Sequence, residues 1–386
     1  MKTALRNMGT IITGNTPSKG NEDYWNSSDI CFVKPDIIAD SGITVITETI
    51  EHISEAARSK ARIVGEDTIF VTCIGSIGKI AIASTNEYAF NQQINAIVPY
   101  ENINSRYLAY ALLYAKPRLT AIANAPVVPI ISKSQFGEFE LEIEESIDKQ
   151  VAIVDLLDKI SGIIDARQKQ IHTLDILIKA RFVEMFGDPV SNPKGWTIKP
   201  LLDMGDCKNG MNFHYNDSGV ELHCLGVGDF QDHSIIDDTS MLSMVSLNEF
   251  PSEEYILRDD DIVFVRSNGN KALVGRCVAV YPGNVPTTFS GFCIRYRKKN
   301  EEISIPYLLR VLKTDTIRAK MAGRGANIQN LNQQILGALT IPVPPMELQK
   351  QFTAFVSQVD KSKVAVQKAL DKAQLLFDSL MQQYFG

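Results

Sequence analysis

At 386 residues the chain exceeds what one ordinary hydrophobic core organises, and 45% apolar with 22% charged residues describes packed globular domains, not a disordered polymer. Its six cysteines (Cys31, Cys73, Cys207, Cys224, Cys277, Cys293) form no CxxC pair and no regular framework, which excludes a disulfide scaffold and suits reduced thiols in a cytoplasm. A net charge of −6 argues, taken alone, against nucleic acid, and the polar start Met1-Lys2-Thr3-Ala4-Leu5-Arg6 argues against secretion or a membrane span.

Short β-type runs come first: Ile30–Val33, Thr68–Val71, Ile80–Ala83 and Ile94–Val98, separated by Gly, Asn, Asp and Pro clusters as strand boundaries should be. A helix is predicted at Ser105–Tyr114, and an alternating strand at Phe139–Ile143 closes the first domain. From Ile147 to Phe186 there is no proline and one glycine, Gly162. Leu157, Ile164, Ile171, Ile178 and Met185 fall every seven residues there, with Val154, Ile160, Leu174 and Phe182 beside them. Two apolar rows at heptad spacing predict a coiled-coil helix, roughly 60 Å long at 1.5 Å per residue. A Pro/Gly linker, Gly187 to Trp196, follows.

The pattern then starts again. Strands are predicted at Ile262–Val265, Arg276–Val280 and Phe292–Tyr296, a helix at Pro306–Leu312 and a closing strand at Leu339–Val343. The second heptad helix carries Phe352, Val359, Val366, Ala373 and Leu380 in one row and Val356, Leu370, Phe377 and Tyr384 in the other. Leu5-Arg6-Asn7-Met8-Gly9 with Gly14 matches Leu201 to Gly205 with Gly210, an offset of 196. Asp67, Phe70, Val71 and Gly75 align with Asp261, Phe264, Val265 and Gly269 at 194; Asp36-Ile37 aligns with Asp229-Phe230. Tyr107-Leu108 and Gly137 match Tyr307-Leu308 and Gly337 at 200, and Phe186-Gly187 returns as Phe385-Gly386. Ordered matches at nearly one offset mark a tandem duplication, whose product has two similar halves related by a pseudo-twofold axis. Between the shared marks the copies align almost nowhere, as expected of one scaffold reading two targets.

The predicted fold is α+β: two pseudo-symmetric mixed α/β domains, residues 1–145 and 188–345, separated by an antiparallel coiled coil of two long helices, 146–187 and 346–386. The helices are then a spacer. Charge is segregated, with two basic and fourteen acidic side chains in residues 200–261 but twelve basic and three acidic in 262–330. In residues 68–133 five basic side chains face two acidic ones. Basic segments inside an acidic protein are expected to be electrostatic footprints for phosphate, unless folding interleaves the signs.

Catalytic signatures are absent. Gly75-Ser-Ile-Gly78-Lys79-Ile80 imitates a phosphate loop but has Cys73 where a glycine is needed and Ile80 where Ser or Thr must hold magnesium, so it reads as a strand–turn–strand with Lys79 exposed. Asn192-Pro193-Lys194 lacks the Pro-aromatic pair with which amino-methyltransferases hold a flipped base. His214, His223 and His233 fit no common zinc spacing, and no HExxH or GxSxG occurs. No metal site is expected, and no catalytic residue.

The order Gly14-Asn15-Thr16-Pro17-Ser18-Lys19, Tyr24-Trp25, Val33-Lys34-Pro35-Asp36-Ile37, Ile77-Gly78-Lys79, Asn91-Gln92-Gln93-Ile94 and Pro342-Val343-Pro344-Pro345 resembles the specificity subunit of type I restriction–modification enzymes. Phe182-Val-Glu-Met-Phe-Gly187-Asp188 and the two-domain, two-helix layout resemble it too, over essentially the whole chain. One departure is Ile143-Glu144-Glu145-Ser146, which stands where the second copy has the family's Pro-Pro entry to the helix. The resemblance implies that each domain reads one half of a split, asymmetric sequence in double-stranded DNA, with an unread spacer set by the helices. It implies docking of two methyltransferase subunits, with or without two translocating nuclease subunits. S-adenosylmethionine, ATP and magnesium would belong to those partners, and this chain would bind no cofactor.

Direct readout needs Arg, Lys, Asn and Gln at groove edges. The first copy offers Lys19, Lys34, Lys79, Gln92, Gln93 and Asn95. The second offers Lys208, Asn209, Asn212, Arg266, Asn268, Asn270, Lys271, Arg276, Arg324, Asn327, Gln329 and Asn330. Gln92-Gln93 and the Arg266–Lys271 loop are the preferred base readers, and most of the others are expected at phosphates or in solvent. The alternative is a coiled-coil scaffold whose paired domains bind proteins, with the basic segment balancing its acidic neighbour.

Overall fold

The computed structural model describes residues 2–25, 27–84, 87–123, 128–213, 218–230, 234–322 and 330–386, with the side chains of Lys271 and Ala322 left aside. The chain divides into two compact units, Met1–Lys169 with Gln367–Gly386, and Gln170–Val366. Each therefore contains one sheet-rich body and a segment of each long helix.

In the first unit a five-stranded sheet has the spatial order Gly9–Thr13, Ile94–Pro99, Ile69–Thr72, Ile80–Ala83, Ile43–Ile46; the last pair is parallel, the others antiparallel. The strand Ile69–Thr72 is buried on both faces, so it reads as a continuous apolar run instead of an alternation. Ile69 and Val71 face a core shared with Tyr107 and Leu108 of helix Ser105–Tyr114. Phe70 faces Val33, Tyr88 and Phe90 of a second sheet, ordered Glu51–Ile53, Ile30–Val33, Tyr88–Phe90, Ile63–Val64. A short pair, Lys2–Ala4 with Glu140–Glu142, closes the body.

The second unit repeats this order. Its main sheet runs Gly205–Asn209, Cys293–Lys298, Asp261–Val265, Cys277–Val280, Ile235–Ile236, again with only the last pair parallel. The smaller sheet keeps three strands, Met244–Leu247, Val220–Leu225 and Thr287–Phe289, and Thr197–Pro200 pairs with Thr340–Val343. Short helices that the sequence reading missed, Lys116–Ala121, Lys133–Glu138, Asp315–Ala322 and Gln333–Gly337, occupy the loops.

The offset of 194 is corrected by one residue. Cys73 and Arg266 hold the same place: the Cys73 N–H donates to Gln93 O and Cys73 O accepts from Ile131, while the Arg266 N–H donates to Phe292 O and Arg266 O accepts from Leu331. That offset of 193 pairs Asp67 with Asp260, which share a left-handed backbone at φ 63° and 70°. It also pairs Phe70 with Val263, each facing the smaller sheet, and Val71 with Phe264, each facing the helix. A slip of one residue in a strand exchanges its faces, so the apparent Phe-Val match could not survive folding. Asp36-Ile37 is misaligned likewise, because Ile38 and Phe230 are the residues that enter equivalent cores.

The long helices span Ile147–Phe186 and Met346–Phe385. In the first unit Val154, Leu157, Met381 and Phe385 join the core around Tyr107, with the Tyr107 and Phe385 rings 5.2 Å apart. In the second, Ile178, Phe182, Phe186, Phe352 and Val359 do the same around Tyr307, with Phe186 at 4.7 Å. A buried glutamine on the first turns of each helix fixes the entry. Gln150 and Gln349 are both 0% exposed. Gln150 accepts from the Asn104 N–H (2.8 Å) and donates to Asn102 O (3.3 Å) and Glu144 O (2.8 Å). Gln349 accepts from the Ser304 N–H (2.8 Å) and donates to Glu302 O (3.0 Å) and Pro344 O (2.8 Å). The clamp is the same in both copies, so the first helix begins at Ile147 without the Pro-Pro entry. Among the described residues no helix is long and apolar enough to cross a membrane.

Candidate nucleic-acid interface

Equivalent turns carry the sharpest differences between the units. In the first, Gly75 and Gly78 take φ of 77° and 75°, values glycine adopts readily, between strands Ile69–Thr72 and Ile80–Ala83. Lys79 following them is not exposed: its Nζ pairs with Asp40 at 2.8 Å and donates to Ile38 O at 3.2 Å. Gln92 is exposed and accepts from Thr16 Oγ1 at 2.5 Å, while the Gln93 N–H donates to Asn91 Oδ1 at 2.8 Å. Asn95 is withdrawn from the candidates, because it lies 3% exposed inside the sheet and accepts from Thr13 Oγ1.

Lys19 and Lys34 converge on one carboxylate, Glu51, at 2.6 and 2.5 Å, and Lys19 also lies 3.6 Å from the Trp25 ring centre. The hydrogen bonds from Lys19 and then Lys34 hold the Glu51 carboxyl below its ordinary value of 4.5. A depressed acid contributes stability that is present above its unfolded value and lost as pH falls through the folded one. The stability difference between wild type and Glu51→Gln is therefore expected to be constant near neutrality and to shrink below about pH 4.5, the ordinary glutamate value. Urea unfolding across that range measures it; a pH-independent difference would exclude the linkage.

In the second unit Ser267, Asn268, Gly269, Asn330, Val227 and Phe292 line one cleft of about 480 Å³. Ser267 bridges Asn330 just as Ile74 bridges Ile130 in the first unit. Arg266, next to Ser267 in the chain, is half-buried, its Nη1 donating to Gly291 O at 3.1 Å. Asn268 Oδ1 accepts from the Asn270 N–H (2.8 Å) and Asn270 Oδ1 from the Ala272 N–H (3.0 Å), so both side chains shape the loop they sit on. Asn212 is exposed, Asn209 is half-buried, and Lys208 pairs with Glu254 at 2.5 Å. Arg276 is half-buried on the turn leading into strand Cys277–Val280. Arg324, Asn327, Gln329, the Lys271 side chain, His214 and His233 lie outside the described residues. His223 is tied through Nδ1 to Leu242 O at 2.9 Å.

The reading of residues 262–330 as one basic footprint is corrected. Strand pairing brings acidic and basic segments together: Arg295, 3% exposed, meets Asp206 at 3.1 Å. Arg297 grips the buried Asp261 through two nitrogens at 2.8 and 2.6 Å, and Lys298 meets Asp260 at 3.1 Å. Arg310 and Lys313 are half-buried, and desolvation lowers both their pKa values. Arg295, Arg297 and Lys298 are thus answered by carboxylates of the acidic stretch, while Lys299 and Lys320 remain exposed.

Of the heptad residues, Leu157, Ile164, Ile178, Phe352, Val359 and Val366 are buried. Ile171, Met185, Leu370, Phe377 and Leu380 are half-buried. Phe292, 61% exposed at the cleft, went unnoticed in the sequence because it opens an apolar run that reads as strand.

The model of the type I restriction modification DNA specificity domain matches residues 1–174 and 193–375. The StySPI specificity subunit of Salmonella potsdam is 23% identical over 351 residues, 84% of this chain and 74% of that one. The putative MjaX specificity subunit of Methanocaldococcus jannaschii is 26% identical over 198 residues, covering 50% and 46%. The HindI specificity subunit of Haemophilus influenzae is 34% identical over 110 residues, covering 28% and 23%. The chain thus spans less than half the length of the last two. The fold is similar to the crystal structure of a type I restriction-modification S subunit from M. genitalium, with TM-score 0.59 at 16% identity over 100% of this chain and 96% of that one. It is also similar to a chain from a structure of type I R-M complex assembly and conformational transition, with TM-score 0.61 at 14% identity over 100% and 97%. With two bodies of one topology and a matching family model over each, the chain belongs to the type I restriction modification DNA specificity domain family.

Proposed function

We propose that this chain is the non-catalytic, sequence-reading subunit of a type I restriction–modification complex, each sheet-rich body reading one half of a bipartite site in double-stranded DNA. One observation carries this: equivalent turns keep the same backbone hydrogen bonds while their side chains change from Cys73, Ile74, Gln93 and Ile130 to Arg266, Ser267, Phe292 and Asn330. A scaffold held constant beneath a divergent surface is the arrangement of two readers with different targets.

The domain limits 1–145 and 188–345, the heptad seam and the helices' role as spacer belong to this proposal. So do the candidate contacts Lys19, Lys34, Gln92, Gln93, Arg266, Asn268, Asn270, Arg276 and Asn330. Two methyltransferase subunits dock on the helices and bring S-adenosylmethionine; two nuclease subunits using ATP and magnesium complete a restriction-competent assembly in the cytoplasm. Ile176-Leu177 and Leu375-Leu376 support twin docking sites, because these pairs are exposed at the same place in both helices, 199 residues apart.

The test is the methylated motif and binding of the complex assembled with its methyltransferase. A split motif is expected, with affinity falling steeply as salt rises. Arg266→Ala is expected to weaken binding and relax one position of one half-site, by about 1–3 kcal/mol for a bidentate contact. Salt-insensitive binding and an unchanged motif favour the protein-binding scaffold instead.

A further inference from the structure

Within the DNA-reading role, on which this inference rests, we propose that Phe292 is a specificity-determining residue that reads the 5-methyl group of one thymine. Phe292 is 61% exposed, large and apolar, in a cleft that among the described residues is also lined by Ser267, Asn268, Gly269, Asn330 and Val227. Its backbone is held on both sides. The Phe292 carbonyl accepts from the N–H groups of Arg266 (2.7 Å) and Ser267 (3.3 Å), and its own N–H donates to Ser290 Oγ at 3.3 Å. Preceding it, Gly291 is buried, and Arg266 Nη1 is fixed on its carbonyl. An aromatic side chain with few torsions on a pinned backbone loses little freedom when it docks.

The chemistry of the groove selects the ligand. Base edges in the major groove present donors and acceptors, and the one apolar feature is the thymine methyl, which phenylalanine contacts favourably. Asn330, exposed in the same cleft, carries an amide of the kind that pairs with adenine edges, so an apolar and a polar side chain stand together. The equivalent residue of the first unit is Gln93, whose carbonyl accepts from Cys73 as that of Phe292 does from Arg266. Duplication therefore left a polar side chain at this place in one reader and an apolar one in the other. The two half-sites are expected to differ there.

The experiment uses the chain assembled with its methyltransferase and a duplex carrying the methylated motif, with each thymine replaced in turn by uracil, which lacks only the methyl. One replacement is expected to weaken wild-type binding roughly fourfold, the worth of one buried methylene. Phe292→Ala should bind the parent duplex less tightly and be indifferent to that replacement, while Phe292→Leu keeps the sensitivity. The wild-type series needs no variant, so a folding defect cannot obscure it. Wild-type indifference to every uracil, or an equal uracil penalty in Phe292→Ala, overturns the assignment and leaves the DNA-reading role intact. An assembly that marks no split motif overturns both.

Discussion

Gln349→Leu is expected to destabilise the second unit by about 3–9 kcal/mol, and Gln150→Leu the first by a similar amount. Each substitution leaves one backbone N–H and two backbone carbonyls without their buried partner, at roughly 1–3 kcal/mol per group. In the second unit these groups are Ser304 N–H, Glu302 O and Pro344 O; in the first they are Asn104 N–H, Asn102 O and Glu144 O. Leucine fills nearly the same volume, so the loss reports hydrogen bonds and not a cavity. Because the chain has two compact units, unfolding need not be two-state, and amide hydrogen exchange is the better measurement. Gln349→Leu should lower protection of the Ser304 amide and of helix Ile305–Leu312 while Asn104 and helix Ser105–Tyr114 keep theirs. Uniform loss across both units, or none, would contradict a clamp local to each helix entry. The clamp ties the loop before the helix packed on each main sheet to the first turns of the long helix that follows it.

What could be read in the sequence was what depends on local period. Ile30–Val33, Ile80–Ala83 and Ser105–Tyr114 lie where β-type runs, turn residues and helical spacing put them, and Leu157, Ile178, Phe352 and Val359 are buried on the long helices. What failed depends on partners distant in the chain. The match of Phe70-Val71 to Phe264-Val265 was one residue out because side chains that look alike face opposite sides of equivalent strands. The basic block is not one footprint because Arg295 and Arg297 lie on a strand flanked by those that supply Asp206 and Asp261. Asn95 looked like a reader, yet it sits on the strand paired with Gly9–Thr13 and is used up by Thr13. Gln150 and Gln349 carried no signal, since one glutamine near the start of a polar-faced helix is ordinary until its three partners are assembled around it. Phe292 was hidden by its neighbours: the strand begins at Cys293, and the residue before it turns out to solvent.

Lengthening both long helices by seven residues, near Gln168 and Lys368, is expected to change the recognised site in one respect only. Both insertion points fall close to where the chain passes between its compact units, at Lys169–Gln170 and Val366–Gln367. Seven residues preserve the heptad phase, so the apolar row through Ile164 and Ile171 in one helix and Val366 and Ala373 in the other continues unbroken. At 1.5 Å per residue the proposed spacer grows by about 10 Å, which at 3.4 Å per base pair is about three base pairs. The half-sites would then also turn about the duplex axis by roughly 100°, at 10–10.5 base pairs per turn, so the yield of methylated sites is expected to fall. The sites that remain should carry the same two half-sequences around a longer unread stretch, because no side chain of either reader has been altered. Inserting three residues instead breaks the heptad phase and should lower helix stability, which separates loss of the seam from loss of the measured distance. A methylated motif with its original spacing, made by a stable complex with both insertions, would mean that something other than these helices sets the distance.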